Sequence, residues 1–261
     1  MTQTAISPAP VRAIVTGHSR GLGAALAELL LERQIDVLGV GRSAHPTLAQ
    51  REHPANSANA ATAAKFVEAS LDLADPAAVE KWLASGALQD FAQGAQCVLL
   101  FNNAGTVDPI APLGAQDASA IARAVTLNVA APLMLANALA TVQAGERRIV
   151  HLSSGAARNA YSGWSVYCAT KAALDHHARA VALDAPDGVR IGSVAPGVVD
   201  TGMQATIRAT SVDHFPLRGR FEELKQTGKL TSPEDCARQL IDYALSDAFG
   251  TSPTADVREL A

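Results

Sequence analysis

Apolar positions along the chain alternate between two periods. Residues 12–16 form a short apolar run that ends at Gly17, and the segment after it repeats apolar residues at Leu22, Ala25, Leu26, Leu29 and Leu30. The run predicts a strand, and the repeat, close to 3.6 residues, predicts a helix. The same alternation continues, with strands predicted over 36–40, 65–71, 96–101, 148–152 and 189–195 and helices over 117–139, 166–183 and 233–245. The last helix has Pro233 in its first turn, where a missing N–H costs nothing. A short seventh strand is predicted near 257–260. Strands that alternate with helices predict an α/β chain: a parallel sheet of about seven strands with helices on both faces. Two stretches interrupt the rhythm. Residues 43–64, rich in Ala, Asn, Pro and Ser, read as a surface loop with a poorly formed helix. Residues 201–229 are too long for a simple connection and read as a lid over a site. No repeat or internal boundary divides the chain, so one domain is expected over 1–261.

Composition narrows the classes. The 261 residues are 48% hydrophobic and 18% charged, too apolar and too weakly charged for disorder. A net charge of −4 offers no basic surplus for a nucleic-acid partner. The longest apolar runs, such as 97–101, are far short of the about 20 residues that span a bilayer, and residues 1–10 carry no secretory pattern, so no membrane partner is expected. Cys97, Cys168 and Cys236 are odd in number and widely spaced. They suit a reducing, cytoplasmic setting, and no pair has metal-ligand spacing.

The candidate chemistry starts at the first strand–helix turn, Thr16-Gly17-His18-Ser19-Arg20-Gly21-Leu22-Gly23. Glycines there let the backbone approach a pyrophosphate, and the following helix directs its free N–H groups at it. Sites that take NAD place an acid about 20 residues further on for the ribose 2′-hydroxyl. Here the second strand ends Gly41-Arg42-Ser43, with no carboxylate. An arginine fork suits a 2′-phosphate instead, and Arg20 adds a second positive charge, so NADP(H) is favoured. Further along, Tyr167 and Lys171 are four apart at the start of a predicted helix, on one face. An ammonium beside a phenol stabilises the phenolate and lowers its pKa. Ser153-Ser154 end the fifth strand, Asn102-Asn103-Ala104-Gly105 end the fourth, and Asn128 interrupts an apolar helix. A polar residue in such a place needs a buried partner, often a water. His176 and His177, adjacent on one helix, point about 100° apart and cannot share a metal. No metal site is expected, and Cys168 is assigned no chemistry.

Taken in order, Thr-Gly-x-x-x-Gly-x-Gly, Asn-Asn-Ala-Gly, Ser, Tyr-x-x-x-Lys and Pro-Gly resemble the short-chain dehydrogenases/reductases, from about Ala13 to Thr201. The resemblance implies one Rossmann-like, doubly wound domain with a seven-stranded parallel sheet, and a catalytic tetrad of Asn128, Ser154, Tyr167 and Lys171. It implies cofactor contacts from Gly17, Ser19, Arg20, Gly21, Leu22, Gly23, Arg42, Asp72, Leu73, Asn103, Ala104, Gly105, Tyr167, Lys171, Pro196, Gly197, Val199 and Thr201. Asp72 matches the adenine-contacting acid, and Pro196–Thr201 the loop that grips the carboxamide. In the C-terminal third, Gly163–Ala169, Ala195–Gln204 and Leu224–Leu230 are similar to sepiapterin reductases and the related bacterial benzil reductases. That similarity implies that Asp256 anchors the substrate, beside Ser154 of the tetrad, while Trp164, Tyr161 and Met203 are candidates to line an apolar pocket on their composition. Phe215 and Phe221 of the lid are further candidates for apolar contact.

The expected function is hydride transfer from NADPH to a small ketone or α-dicarbonyl. Ser154 would orient the carbonyl and Tyr167 donate the proton. Lys171 would lower the Tyr167 pKa, and Asn128 would hold a relaying water. The alternatives are a 3-oxoacyl thioester reductase or other alcohol/ketone oxidoreductase of the same family, or a non-catalytic NADP-sensing regulator. A homo-oligomer, dimer or tetramer, is expected from the family likeness.

Overall fold

The computed structural model describes residues 10–48 and 64–260. Its strands are β1 (Val11–Thr16), β2 (Asp36–Gly41), β3 (Phe66–Ser70), β4 (Cys97–Asn102), β5 (Glu146–Leu152), β6 (Val189–Ala195) and β7 (Thr254–Asp256). They form one seven-stranded sheet in the order β3-β2-β1-β4-β5-β6-β7, and each neighbouring pair runs parallel. The order reverses between β1 and β4. In an open α/β sheet the crevice beyond the strand ends at such a reversal is where ligands bind.

Alternating residues of the central strands feed two different cores. Val15, Leu99 and Phe101 face a layer built from α1 (Gly21–Glu32) and α9 (Pro233–Leu245). Ile14, Val98 and Leu100 face the opposite layer, with Leu135 and Leu139 of α5 (Ala131–Ala140) and Ala178 of α6 (Ser165–Asp184). Because both faces are covered, β4 is apolar at nearly every position rather than at every second one. That is the run seen at 96–101.

The structure adds elements that periodicity did not separate. Two short helices, α2 (Pro76–Ala84) and α3 (Ala87–Ala92), lie between β3 and β4. The helix predicted over 117–139 is interrupted: α4 (Ala118–Val125) runs into a π-helical turn at Thr126–Ala130 before α5. The stretch Ala118–Ala140 is long and apolar enough to cross a membrane by length and composition alone. Its Leu135, Ala136 and Leu139 nevertheless pack on the sheet, as the inner face of a sheet-covering helix does. The lid region contains α7 (Gly202–Ala209) and α8 (Arg218–Gln226). The seventh strand lies at Thr254–Asp256, earlier than predicted, because the chain turns into a 3-10 turn at Val257–Glu259 capped by the Asp256 carboxylate. Of the predicted 43–64 loop, residues 49–63 lie outside the described residues.

Candidate active site

The site lies at the C-terminal ends of β1, β4, β5 and β6. The β1–α1 turn is tied down from β4. Thr16 Oγ1 accepts from the backbone N–H groups of Asn103 and Ala104, both at 2.9 Å, and Asn103 Nδ2 donates to Thr16 O at 2.9 Å. Asn103 therefore supports the glycine turn as well as bordering it. His18 is buried beneath the same turn, with Nε2 2.7 Å from Glu68 Oε1 on β3. At Gly23 only glycine fits, since a Cβ would collide with the Gly17 carbonyl. The absent side chain lets α1 start against the turn.

Arg20, the N-cap of α1, makes no side-chain cap, and the first turn of α1 holds no acid. Its N–H groups remain as an anion cradle. Thr201 closes the other side: a Cβ on Gly21 would lie 3.3 Å from Thr201 Cγ2. Arg20 and Arg42 are exposed at the adenosine end, and Asp36 lies at the far end of β2. Asp72 accepts from the Ala74 N–H at 3.0 Å and pairs with Arg123 at 3.3 Å. Its partial burial raises its pKa, but the Ala74 bond, Arg123 and Arg42 together outweigh that and hold it below the usual carboxylate value. Leu73 beside it is buried. Gly17, the α1 N-terminus, Gly105 and the two arginines thus fit a nicotinamide dinucleotide in shape and charge.

At the other end of the trough, Ser154, Tyr167 and Lys171 come together. Ser154 follows β5 and its Oγ accepts the Ala156 N–H at 3.1 Å. The Ser154 hydroxyl also acts on the Tyr167 phenol, favouring its ionised form. Lys171 is 5% exposed, donates to the Leu152 carbonyl at 2.7 Å and lies 5.7 Å from the Tyr167 ring centre. Burial lowers its pKa to about 8, opposed by the charge of Asp175. The expected lowering of Tyr167 is not found here. Burial pushes the phenol up to about 12, and the Ser154 hydroxyl only partly opposes it. Desolvation of a phenolate outweighs an ammonium that sits over the ring rather than on the oxygen.

Asn128 lies in the π-turn, 1% exposed. Its Oδ1 accepts from Thr106 N at 2.9 Å, and its Nδ2 donates to Thr106 O at 2.8 Å and Thr170 Oγ1 at 3.1 Å. The amide thereby fixes the loop after β4 to α6. A Cβ on Gly105 would lie 3.2 Å from Asn128 Oδ1 and 3.8 Å from Lys171 Nζ, so a side chain there would crowd the Asn128 amide beside Lys171.

The substrate side departs from expectation. Trp164 is buried, stacked on Phe215 at 4.7 Å between ring centres and 5.4 Å from Phe221. Phe215 and Phe221 form a third core with Ile207, Val107 and Ile110 rather than a free apolar wall. Rings this large gain most by burying one another. Gly163 permits the contact, because a side chain there would strike the His214 carbonyl of the lid. Tyr161, Met203 and Leu217 remain half-buried at the edge of this core. Asp256 is not a free anchor. Its carboxylate accepts from Arg258 Nε at 2.8 Å, Nη2 at 2.6 Å and N at 3.0 Å, so its donors come from its own chain. Those bonds hold its pKa below the ordinary carboxylate range. Pro196 and Gly197 follow β6, and Gly197 approaches Arg258. Val199 is buried and bridges to Thr231.

Two buried groups behind the site were not singled out by spacing. Asp175 binds Ser153 and Ser193, and His151 bridges Asn102 Nδ2 and His177 Nδ1, both at 3.1 Å. The signal for Asp175 was a carboxylate inside an apolar helix stretch, four residues beyond Lys171. His176 is exposed and His177 half-buried, as their adjacency predicts. Among the described residues no group of three or more His, Cys, Asp or Glu could hold a metal.

A parallel sheet with a glycine-turn cradle and a Ser–Tyr–Lys cluster at its carboxyl edge defines a Rossmann-type oxidoreductase. The chain belongs to the short-chain dehydrogenase family, whose model matches residues 12–212. It is 34% identical over 245 residues to a benzil reductase ((S)-benzoin forming) of Bacillus cereus, covering 90% of this chain and 94% of that one. It is 32% identical over 251 residues to a sepiapterin reductase of Mus musculus, covering 93% and 95%. A crystal structure of a short-chain dehydrogenase/reductase from Burkholderia vietnamiensis shares 56% identity, with a TM-score of 0.66 over 98% of this chain and 100% of that one.

Proposed function

We propose that this chain is an NADPH-dependent carbonyl reductase acting on small ketones and α-dicarbonyls. One observation carries the proposal: the Tyr167 phenol, buried and with the Ser154 hydroxyl near enough to favour its ionised form, lies one helical turn from a buried Lys171 at the end of the dinucleotide trough. The cradle at Gly17 and the α1 N-terminus would hold the pyrophosphate, and Arg42 with Arg20 would receive the 2′-phosphate. When bound, the reduced nicotinamide supplies the hydride. Ser154 donates a hydrogen bond to the substrate carbonyl oxygen and orients it. Tyr167, protonated near neutral pH because burial holds its pKa high, delivers its proton to that oxygen as negative charge develops there. Lys171 stabilises the phenolate left behind until it is reprotonated. Asn128 holds the loop after β4, and with it Gly105, against Lys171. The benzil reductase similarity supports a dicarbonyl as substrate.

The test is NADPH oxidation with an aromatic diketone. Tyr167→Phe keeps the ring and should bind NADPH like the unsubstituted chain. Its turnover should fall by about 10²–10⁴, the usual contribution of a positioned general acid. Near-normal reduction by this variant would refute the assignment, and NADPH binding with no turnover on any ketone would favour a sensor.

A further inference from the structure

Asp175 is 2% exposed and sits one turn beyond Lys171 on α6, on the same helix face. Its Oδ1 accepts from the hydroxyls of Ser153 at 2.6 Å and Ser193 at 2.8 Å, and its Oδ2 from Arg158 Nε at 3.3 Å. Ser153 immediately precedes Ser154, and Ser193 lies in β6, three residues before Pro196. One carboxylate therefore joins the two strand ends that carry the carbonyl-orienting hydroxyl and the loop leading into the lid. An amide oxygen could accept from two hydroxyls equally well. What an amide lacks is the charge. Burying a charge is costly, and among the described residues the cation at hydrogen-bonding distance is Arg158, whose side chain is 35% exposed.

We propose that Asp175 is a positioning residue for the reaction: its buried carboxylate sets a negative charge one helical turn beyond Lys171, and its bonds to Ser153 and Ser193 hold Ser154 in register. The inference rests on the roles assigned above to Tyr167 and Lys171. Burial alone drives Lys171 toward the neutral amine, and Asp175 is the charge that opposes it. The other ionisable groups around the pair do not replace it. From β5, His151 is held neutral by burial. From β7, Asp256 is closed by its fork with Arg258. From the turn after β5, Arg158 is a cation and acts in the opposite sense. On α6 itself, Tyr167 is a neutral phenol and His177 is kept below its ordinary pKa by burial.

The experiment titrates Lys171 directly by NMR in the full chain labelled at lysine Cε, with its resonance assigned by its loss in Lys171→Met. In Asp175→Asn the Lys171 midpoint should fall by about one pH unit, as expected for loss of an opposite charge one turn away in a partly buried setting. Asp175→Glu should restore most of it. The alkaline limb of the kcat profile should move with the Lys171 midpoint in each variant while KM for the carbonyl changes little. A folded Asp175→Asn with an unmoved Lys171 midpoint overturns the proposal. If that variant does not fold, Asp175→Ser is titrated in its place, and an unmoved Lys171 midpoint there overturns the proposal. The titration needs no substrate. A chain that reduces no carbonyl would therefore sink the proposed function, while the Lys171 midpoints would still decide the role of Asp175.

Discussion

Acidification from pH 7 to pH 5 should weaken the fold through one imidazole. His151 is fully buried between Asn102 and His177, and burial, with His177 and Lys171 nearby, lowers its pKa to about 3. Its unfolded value is near 6.5. A depressed histidine binds fewer protons folded than unfolded. The stability it contributes is therefore complete above pH 6.5 and is lost as pH falls from 6.5 toward 3. Between pH 7 and 5 the folded imidazole stays neutral while the unfolded one takes up about 0.7 of a proton, which is worth about 2 kcal/mol by linkage. For a chain of this size that is a fall in Tm of about 2–4 °C. His177, half-buried and lowered in the same direction, adds to the loss in the same window. The lowered carboxylates Asp72, Asp117, Asp235 and Asp256 act mostly below it, because their stabilisation is lost only as pH falls past the ordinary carboxylate value of 3.8. The assay is urea unfolding at pH 7 and pH 5 for the unsubstituted chain and for His151→Gln, which retains hydrogen-bonding capacity without a titrating ring. The substituted chain should be less stable at pH 7 and show a pH dependence shallower by about 2 kcal/mol. Equal pH dependence in the two chains would refute the reasoning.

Two further outcomes are expected. Arg42→Asp should weaken NADPH binding about ten- to a hundredfold, as loss of a charge-assisted contact worth roughly 1.5–3 kcal/mol predicts, and should leave NADH binding equal or better. Fluorescence titration with both cofactors checks this, and equal affinities in the unsubstituted chain would remove Arg42 from the specificity role. Phe215→Ala should destabilise the chain by about 3–5 kcal/mol as measured by denaturant unfolding, because it empties a fully buried ring site stacked on Trp164. A loss below about 1 kcal/mol would show that the lid core collapses without it.

Although its seventh strand fell at 257–260 instead of Thr254–Asp256, the sequence by itself determined the α/β class, the other six strands and the Tyr167–Lys171 spacing. These follow from local signals: apolar runs covered on both faces, a glycine turn between strand and helix, and a four-residue spacing that holds on any helix. It could not separate α4 from α5, because the π-turn at Thr126–Ala130 arises where Asn128 bonds across to Thr106 and Thr170. It placed Phe215, Phe221 and Asp256 at the substrate. Tertiary packing turned the rings onto Trp164, and the chain end supplied Arg258 to the carboxylate. Asp175, His151 and the height of the Tyr167 pKa were equally beyond it. Each is set by burial and by partners tens of residues away, whereas a spacing rule sees only what lies within one turn of a helix or one strand.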